Sequence, residues 1–434
     1  HEHLDPRRPD YLSPYGNDWV ETPLLQELAD TGTLFEVCYA TTNSTAPSHA
    51  SIMSSLYLQD HRLTQNGLRL PSAVETIAER FKKAGYRTAA AVSVFHLSHY
   101  TAGIGQGFDH FISPPAGVHH PSAEQTNARI DALLDGPLAD QPLFLWIHYF
   151  DPHAPYEPPG KFDRLYYPGS DPSAANHTGL GMGAPEDRSS NAYWSWLDGV
   201  RDLDFVKRQY GAELTYTDAM LGQILKRIRE EEPRTLTVVT ADHGESLGEH
   251  GILTDHLGLH DPVTRVPLIL NGPGVPAAHR VAGAVSTVDI APTLIELCGL
   301  RALPLARGRS LVPFFESAKS PAGDVFFEHA KGWQRGVRRG GKKLLEHLVD
   351  ISASYRGYVF ETGRKELYDL NEDPLELKDL GRSAESFEEL ETLLKRFRES
   401  RVGDFEQGSG QMSPELERML EALGYLGGED DKDR

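Results

Sequence analysis

A repeated order of helix, turn and apolar strand constrains the fold of this chain more than any other feature. The succession occurs three times, at residues 73–84 with 88–94, at 128–134 with 143–150, and at 205–231 with 235–240. These strands are continuous apolar runs, which are typical of strands buried on both faces. Helices alternating with such strands predict a mostly parallel central α/β sheet with helices on both of its faces.

The length of 434 residues suits one large domain with a smaller appendage. We predict a large α/β domain over residues 1–320, with further helices at 21–30 and 47–57. Residues 321–434 are expected to form a small C-terminal α+β subdomain. Its predicted elements are a hairpin at 336–345, a strand at 366–370, helices at 387–399 and 414–423, and a disordered acidic tail at 429–434.

One long segment, residues 157–203, is rich in Pro, Gly, Ser, Asn and aromatic residues. A loop of this length inside a compact domain is unusual unless it is functional or disordered. Because it directly follows a predicted strand, we interpret it as an insertion that covers the substrate.

The charge and the cysteine count exclude several classes of protein. A formal net charge of -20 argues against nucleic acid as a partner, since phosphate backbones need a basic surface. No apolar run is long enough to span a membrane. The two cysteines, Cys38 and Cys298, are too few for a disulfide framework, and two free thiols are favoured over one bridge. The compartment stays open between cytoplasm and export after removal of a signal that this sequence does not contain, and so does the oligomeric state.

The clearest candidate for chemistry is Asp242-His243, directly after the apolar strand and followed by Gly244. In open α/β sheets, ligands bind outside the carboxyl ends of the strands. A carboxylate beside an imidazole suits Mn, Zn or Mg. The alternative is a turn in which Asp242 caps the next helix.

A second candidate is Thr45, at the predicted start of a helix in the segment 43–51. A hydroxyl in this position lies in the field of exposed backbone N–H groups, where anions bind. It becomes a good nucleophile only when a base or a metal lowers its pKa. The alternative is that Thr45 caps the helix, which is the usual role of such residues.

Two histidines next to predicted strands are further candidates for chemistry. His153 lies after the strand at 143–150, and His256 lies ahead of the apolar run at 266–270. A histidine near its unperturbed pKa of about 6.5 can donate a proton to a leaving group. His250 and His260 are interpreted as surface residues.

Taken together, these segments resemble the sulfatase family of the alkaline phosphatase superfamily. The motifs that carry the resemblance occur in the family's order over nearly the whole chain. They are Arg8–Gly16, Thr45–His49 (which resembles Cys/Ser-x-Pro-Ser-Arg), His148–Tyr156, Thr240–Glu245, Arg265–Ile269 and Glu366–Leu370.

The resemblance implies an alkaline-phosphatase-like fold and a role for each matching residue. Asp242 and His243 would bind one divalent metal ion (Mn, Zn or Mg favoured, Ca possible), and Thr45 would be both ligand and nucleophile. The remaining ligand would be Asp5, with Glu2 as the alternative. His153 would contact the oxygens of the transferred group, and His256 would lie near the leaving group.

Two departures from the family pattern bear on the reaction. Sulfatases convert the motif Cys or Ser to formylglycine, and Thr45 cannot become that aldehyde. His49 also stands where the family has an arginine. The chain therefore resembles a threonine-nucleophile branch of the family. We expect a hydrolase that favours phosphodiesters or phosphonate esters over sulfate esters, on a small-molecule, glycan or lipid substrate. A phosphoryl transferase using the same residues and a non-catalytic binding protein are the alternatives.

Overall fold

The computed structural model describes residues 2–4, 8–115, 118, 120–135, 142–169, 171–174, 195–315, 323–353 and 358–406. Within these ranges, none of the helices combines the length and the apolar character that crossing a bilayer requires. The predicted helix at 414–423, the tail at 429–434 and residues 175–194 of the expected insertion fall outside the described residues. The expected boundary between residues 320 and 321 also falls outside them, and the domain division stays a prediction.

Eight strands form the central sheet in the order β10-β2-β9-β6-β1-β5-β3-β4. They are β1 (Glu2–Leu4), β2 (Thr33–Tyr39), β3 (Arg87–Val92), β4 (His110–Ile112), β5 (Leu143–Tyr149), β6 (Thr237–Ala241), β9 (Arg265–Asn271) and β10 (His279–Ser286); a separate pair is formed by β7 (Ser246–Leu247) and β8 (Leu253–Asp255). All neighbours pair in parallel except β9, which is antiparallel to both β2 and β6. The predicted mostly parallel sheet is confirmed, with one reversed strand.

The short strand β1 occupies the centre of the sheet. Leu4 pairs with Tyr149 of β5 on one side and with Ala241 of β6 on the other. Because these strands are parallel, their carboxyl ends meet at one edge of the sheet. The segments that follow β5 and β6 carry His153 and the pair Asp242-His243. They therefore leave the sheet at the same edge.

Helices cover both faces of this sheet, as the alternating pattern predicted. They are α1 (Pro23–Asp30), α2 (Thr45–Ser54), α3 (Leu58–His61), α4 (Ile77–Lys83), α5 (His99–Ala102), α6 (Ala123–Leu134), α7 (Leu203–Glu231), α8 (Asp261–Thr264) and α9 (Ile290–Leu297). Capping boxes start α4 at Thr76 and α6 at Ser122, where each side chain accepts a hydrogen bond from the N–H three residues on.

Alternate residues of each strand supply two separate apolar cores. In β5, Trp146 joins the core on one face, and its neighbour Ile147 joins the core on the other. Val238 and Val239 of β6 divide in the same way. This division follows from the pleat, which points successive side chains to opposite faces. Continuous apolar runs are the sequence mark of strands covered on both sides.

The helix that carries Thr45 differs from its predicted bounds. It begins at Thr45 rather than Pro47, and it ends at Ser54 rather than Tyr57. Pro47 fits in the first turn because N–H groups there need no partner within the helix. Ser55 ends the helix in the left-handed conformation, at φ 58°, and the short helix α3 follows.

A four-stranded antiparallel sheet forms the C-terminal part of the fold. Its strands, in the order β11-β12-β13-β16, accompany a two-stranded pair and one helix. The elements are β11 (Val325–Glu328), β12 (Gln334–Arg339), β13 (Lys342–His347), β14 (Ile351–Ala353), β15 (Tyr358–Phe360), β16 (Lys365–Asp369) and α10 (Phe387–Glu399). The predicted hairpin, strand and charged helix are confirmed. One face packs against α10, and the other packs against Tyr39, Leu259 and Ala284 of the large sheet region.

A buried ion group joins this C-terminal sheet to helix α8. Lys343 of β13 is fully buried, and its Nζ lies 2.8 Å from carboxylate oxygens of both Asp261 and Glu376. The hydroxyl of Tyr39 donates to Asp261 at 2.9 Å. Burial raises the pKa of Glu376 to about 7, against the opposing effect of the lysine charge. The group therefore connects the small sheet to the segment that follows His256 and His260.

Candidate active site

Asp242 and His243 lie directly after β6, and both side chains are fully buried. Nδ1 of His243 donates to the backbone oxygen of Gly244 at 2.9 Å. This bond leaves Nε2 as the unprotonated nitrogen, the form in which a neutral histidine binds a metal. Burial lowers the pKa of His243 well below its usual value, with a smaller contribution from His256. Burial therefore favours the neutral imidazole, with Nε2 as its acceptor nitrogen.

Gly244 allows the chain to turn closely past helix α8 after these two residues. Its N–H donates to the oxygen of Val263 at 2.6 Å. A Cβ added at Gly244 would lie 2.1 Å from the backbone oxygen of Pro262. Any other residue would push the turn away from α8, and Asp242 and His243 with it.

Thr45 is the first residue of α2 and is fully buried. Its Oγ1 lies 3.4 Å from Nε2 of His243. The Oγ of Ser48 donates to the backbone oxygen of Asp242 at 2.6 Å, and the N–H of Ala46 donates to Asn66. These bonds hold the start of the helix against the end of β6. The two motifs that the sequence singled out therefore meet.

The spacing of three donor atoms is compatible with a shared ion. Nε2 of His243 lies 3.4 Å from Oγ1 of Thr45 and 3.4 Å from Oδ2 of Asp242. Two ligands with bonds of about 2.1 Å to one ion lie roughly 3.0–3.4 Å apart in octahedral or tetrahedral arrangement. Imidazole nitrogen and carboxylate oxygen are also donors that Mn, Zn and Mg accept. The donor set thus fits a divalent ion.

Asp242 and His243 alone do not complete a metal site. Among the residues that the structure describes, no three His, Cys, Asp or Glu side chains are grouped so as to hold a metal. The predicted ligand Asp5 falls outside the described residues, and of Glu2 only the backbone is described. The further ligand, Asp5 or Glu2, therefore remains a prediction.

His153 and His256 both lie beside this group. The rings of His243 and His256 are centred 4.4 Å apart, and those of His256 and His153 are 6.0 Å apart. His153 stacks on Phe150 at 4.3 Å, and its Nδ1 donates to the oxygen of Ala154. Burial lowers the pKa of His153 to about 3 and that of His256 to about 4. Both rings are neutral at pH 7, so each offers a hydrogen bond rather than a positive charge.

The sequence did not identify His49 as a functional residue, although it occupies the position of the family arginine. Its Nδ1 donates to the backbone oxygen of Thr45 at 2.8 Å and lies 3.7 Å from Oδ2 of Asp242. The ring of His148 is 5.0 Å away. His148 carried a signal that was missed, because a histidine inside an apolar strand is unusual.

The interpretation of His260 as a surface residue is wrong. It is 2% exposed, and its ring stacks on that of the partly buried His250 at 3.8 Å. The C-terminal sheet covers it, with Tyr358 and Tyr368 against its ring. The burial of His260 could not be predicted from the local sequence, because the residues that cover it lie about 100 residues later in the chain. Cys38 and Cys298 are both free, as predicted.

Two family models match the chain. One, described as sulfatase, matches residues 5–300. The other, described as the C-terminal part of N-sulphoglucosamine sulphohydrolase, matches residues 248–402. The first covers most of the large sheet and every predicted site residue.

Individual proteins give the same result. The N-acetylglucosamine-6-O-sulfatase of Bacteroides thetaiotaomicron is 23% identical over 90% of this chain and 83% of its own length. A solved structure of a protein in complex with that protein's own substrate, D-glucosamine-2-N,6-O-disulfate, superposes on this chain with a TM-score of 0.74 at 21% identity, covering 92% of this chain and 96% of that one. The phosphonate monoester hydrolase of Agrobacterium radiobacter superposes at 0.69 and 21% identity, over 91% and 94%. The fold and the family model agree, and the chain belongs to the sulfatase family of ester hydrolases.

Proposed function

We propose that the chain is a metal-dependent hydrolase of phosphodiesters or phosphonate esters in which Thr45 is the nucleophile. The observation that carries the proposal is the position of Thr45. Its hydroxyl is buried at the start of a ten-residue helix and lies 3.4 Å from Nε2 of His243. A residue that only capped the helix would accept a bond from a first-turn N–H. The N-cap residue is Ser44, which makes no such side-chain bond, and the hydroxyl of Thr45 lies against His243 instead.

The ion would be held by Asp242, His243 and Thr45, with Asp5 as the further ligand. The register supports Asp5 over Glu2. Leu4 pairs with Ala241, and Asp5 and Asp242 are the residues next in the chain after that pair. Glu2 pairs with Val239, about 10 Å along the strand from Asp242. When bound, a divalent ion would polarise an oxygen of the substrate and lower the pKa of the Thr45 hydroxyl.

The residues around Thr45 supply the other requirements of in-line displacement. The positive end of the α2 dipole favours negative charge on the oxygens of the transferred group. Nδ1 of His153 donates to the oxygen of Ala154, so His153 can bond those oxygens only through a protonated Nε2, and His256 lies next to His243 on the side proposed for the leaving group. An alkoxide leaving oxygen takes its proton from His256, and the charge of a bound anion favours the protonated form of that ring.

The side chain at position 45 is the reason for favouring phosphorus over sulfur. Threonine carries a methyl group on Cβ, so oxidation there cannot give the aldehyde of formylglycine. A threonyl ester intermediate must instead be released by attack of water on the transferred group. A phosphonate monoester hydrolase is among the solved structures that share this fold.

A substrate screen tests this proposal. The purified protein, loaded in turn with Mn, Mg, Zn and Ca, is assayed against aryl sulfates, phosphate monoesters, phosphodiesters and phosphonate monoesters. We expect the largest kcat/KM for a phosphodiester or a phosphonate ester. After the metal is removed by chelation, we expect no turnover of any ester. A preference for sulfate esters would overturn the choice of phosphorus. Phosphate appearing on an added alcohol rather than in solution would assign a transferase, and no turnover with any metal would favour a binding protein.

A further inference from the structure

A cavity of about 350 Å³ lies between the turn after α3 and the loop that connects β11 to β12. Its lining is mostly polar and basic. Its charged and polar lining includes Arg62, Gln65, Glu328, His329, Lys331 and Arg398. None of them belongs to the group of residues around Thr45 and Asp242.

Hydrogen bonds connect the chain at both walls of this cavity to residues that flank Thr45. Asn66, which follows Gln65 of the first wall, accepts a bond from the N–H of Ala46 at 2.9 Å. From the second, the N–H of Ala330 donates to Oδ1 of Asn43 at 3.0 Å, while Nδ2 of Asn43 donates to the backbone oxygen of His256 at 2.8 Å. The cavity is therefore the immediate neighbour of the proposed reaction centre, on the side of His256.

The charges in the cavity favour an anion. Within the described part of the chain, neither Arg62 nor Arg398 forms an ion pair, and Lys331 lies over the ring of Trp333. The carboxyl of Glu328 also lines the cavity, and burial raises its pKa to about 7, which reduces its negative charge near neutral pH. A third arginine that lines the cavity, Arg335, is paired with Glu346 at 2.5 Å.

His329 presents a hydrogen-bond donor in the same cavity. It is 4% exposed and stacks on Trp333 at 5.1 Å. Its Nδ1 accepts from the N–H of Lys331 at 3.1 Å, so the proton of the neutral ring is on Nε2. Nε2 has no hydrogen-bond partner among the described residues. A buried donor without a partner is costly, and an anionic oxygen would satisfy it.

Arg62 lines the cavity and ends α3 in the left-handed backbone region, at φ 65°. A residue with a side chain adopts this conformation at a cost of about 1 kcal/mol.

We propose that this cavity is a subsite for a second anionic group of the substrate, a carboxylate, sulfate or phosphate. Arg62 and Nε2 of His329 are its main donors. The substrate is then an ester that carries a further anion within a few bonds of the scissile oxygen. This inference rests on the proposed function, since it assigns a substrate class to the same site.

The test uses pairs of esters that share the scissile group and differ only in a second substituent, a hydroxyl or one of the three anions. We expect kcat/KM to be about 10- to 100-fold higher for a charged member of the pair, as for hydrogen bonds to charged groups. Arg62→Gln should reduce the ratio of kcat/KM between the charged ester and its hydroxyl partner about tenfold. The anionic substituent whose ratio falls most identifies the anion that the cavity binds. Arg234→Gln removes an equal charge from an exposed position in the turn before β6 and should leave the ratio unchanged.

Three results would overturn the subsite. The first is a ratio of kcat/KM near one in the wild type. The second is an equal effect of Arg62→Gln on both esters of the pair. The third is a fall in the ratio for Arg234→Gln as large as that for Arg62→Gln. If Thr45→Ala is inactive while the ratio is one, only the subsite fails. If no ester is turned over, calorimetric titration of the full chain with inorganic phosphate decides. Binding that Arg62→Gln abolishes supports an anion site without the enzyme, and the absence of binding rejects it.

Discussion

The hydroxyl oxygen of Thr45 lies 3.4 Å from Nε2 of His243, although 198 positions separate the two residues in the chain. Thr45 starts the helix after β2, and His243 follows β6, with β9 between these strands in the sheet. Ser48 and Asn66 fix the helix, and Gly244 fixes the turn. The proximity is therefore a property of the whole sheet and of three close backbone contacts.

Asp242→Asn should remove both the bound metal and the activity. The substitution keeps the size of the side chain and removes the negative charge that a divalent ion requires. Metal content by elemental analysis should fall from one ion per chain to none. Asp18→Asn, at an exposed position, should retain the ion. One equivalent of metal in the Asp242 variant would reject this carboxylate as a ligand.

His49→Ala should lower metal affinity or kcat by about 10- to 100-fold, the usual effect of residues that orient metal ligands. His49 bonds the backbone of Thr45 and lies near the carboxylate of Asp242, so its loss loosens both. Titration of the chelated variant with metal, followed by assay, measures the two effects separately. The exposed histidine His99, replaced by alanine, serves as the control. Unchanged affinity and kcat would mean that His49 only fills space.

The sequence predicted the position of Asp242 and His243 because a polar pair ended an apolar run. It predicted Thr45 because a hydroxyl preceded a helix. The role of His49 was not predictable in this way, since its contact with Asp242 depends on the order of strands in the sheet. The reversal of β9, the burial of His260 and the ion group at Lys343 have the same origin. Each results from a contact between elements distant in the chain.

Lys343→Met should destabilise the protein by about 3–5 kcal/mol, because it leaves the carboxylates of Asp261 and Glu376 buried without a cation. Chemical denaturation measures the free energy of unfolding. The adjacent Lys342 pairs with Asp369 at the surface, and Lys342→Met should cost at most about 1 kcal/mol. Equal effects of the two substitutions would contradict a special role for the buried group.

Stability should fall on acidification from pH 7.5 to pH 5, and His61 should contribute to the fall. Burial lowers the pKa of His61 to about 3, below the unfolded value of about 6.5. A lowered folded pKa gives stability that is present above pH 6.5 and lost as the pH falls toward 3. At pH 5 one such imidazole accounts for about 2 kcal/mol. His61→Gln should therefore flatten the pH dependence of the free energy of unfolding, and the exposed His99→Gln should not. Equal slopes in the wild type and the His61 variant would show that His61 is not buried in the neutral form.

The nucleophile is tested most directly by mass spectrometry of the chain quenched during turnover of a phosphonate ester or phosphodiester. We predict a phosphoryl or phosphonyl adduct on the peptide that contains Thr45. Thr45→Ala should abolish both adduct and turnover with the fold intact, whereas Thr45→Ser should retain them because it keeps the hydroxyl. Full turnover by Thr45→Ala, or an adduct on another residue, would contradict the account.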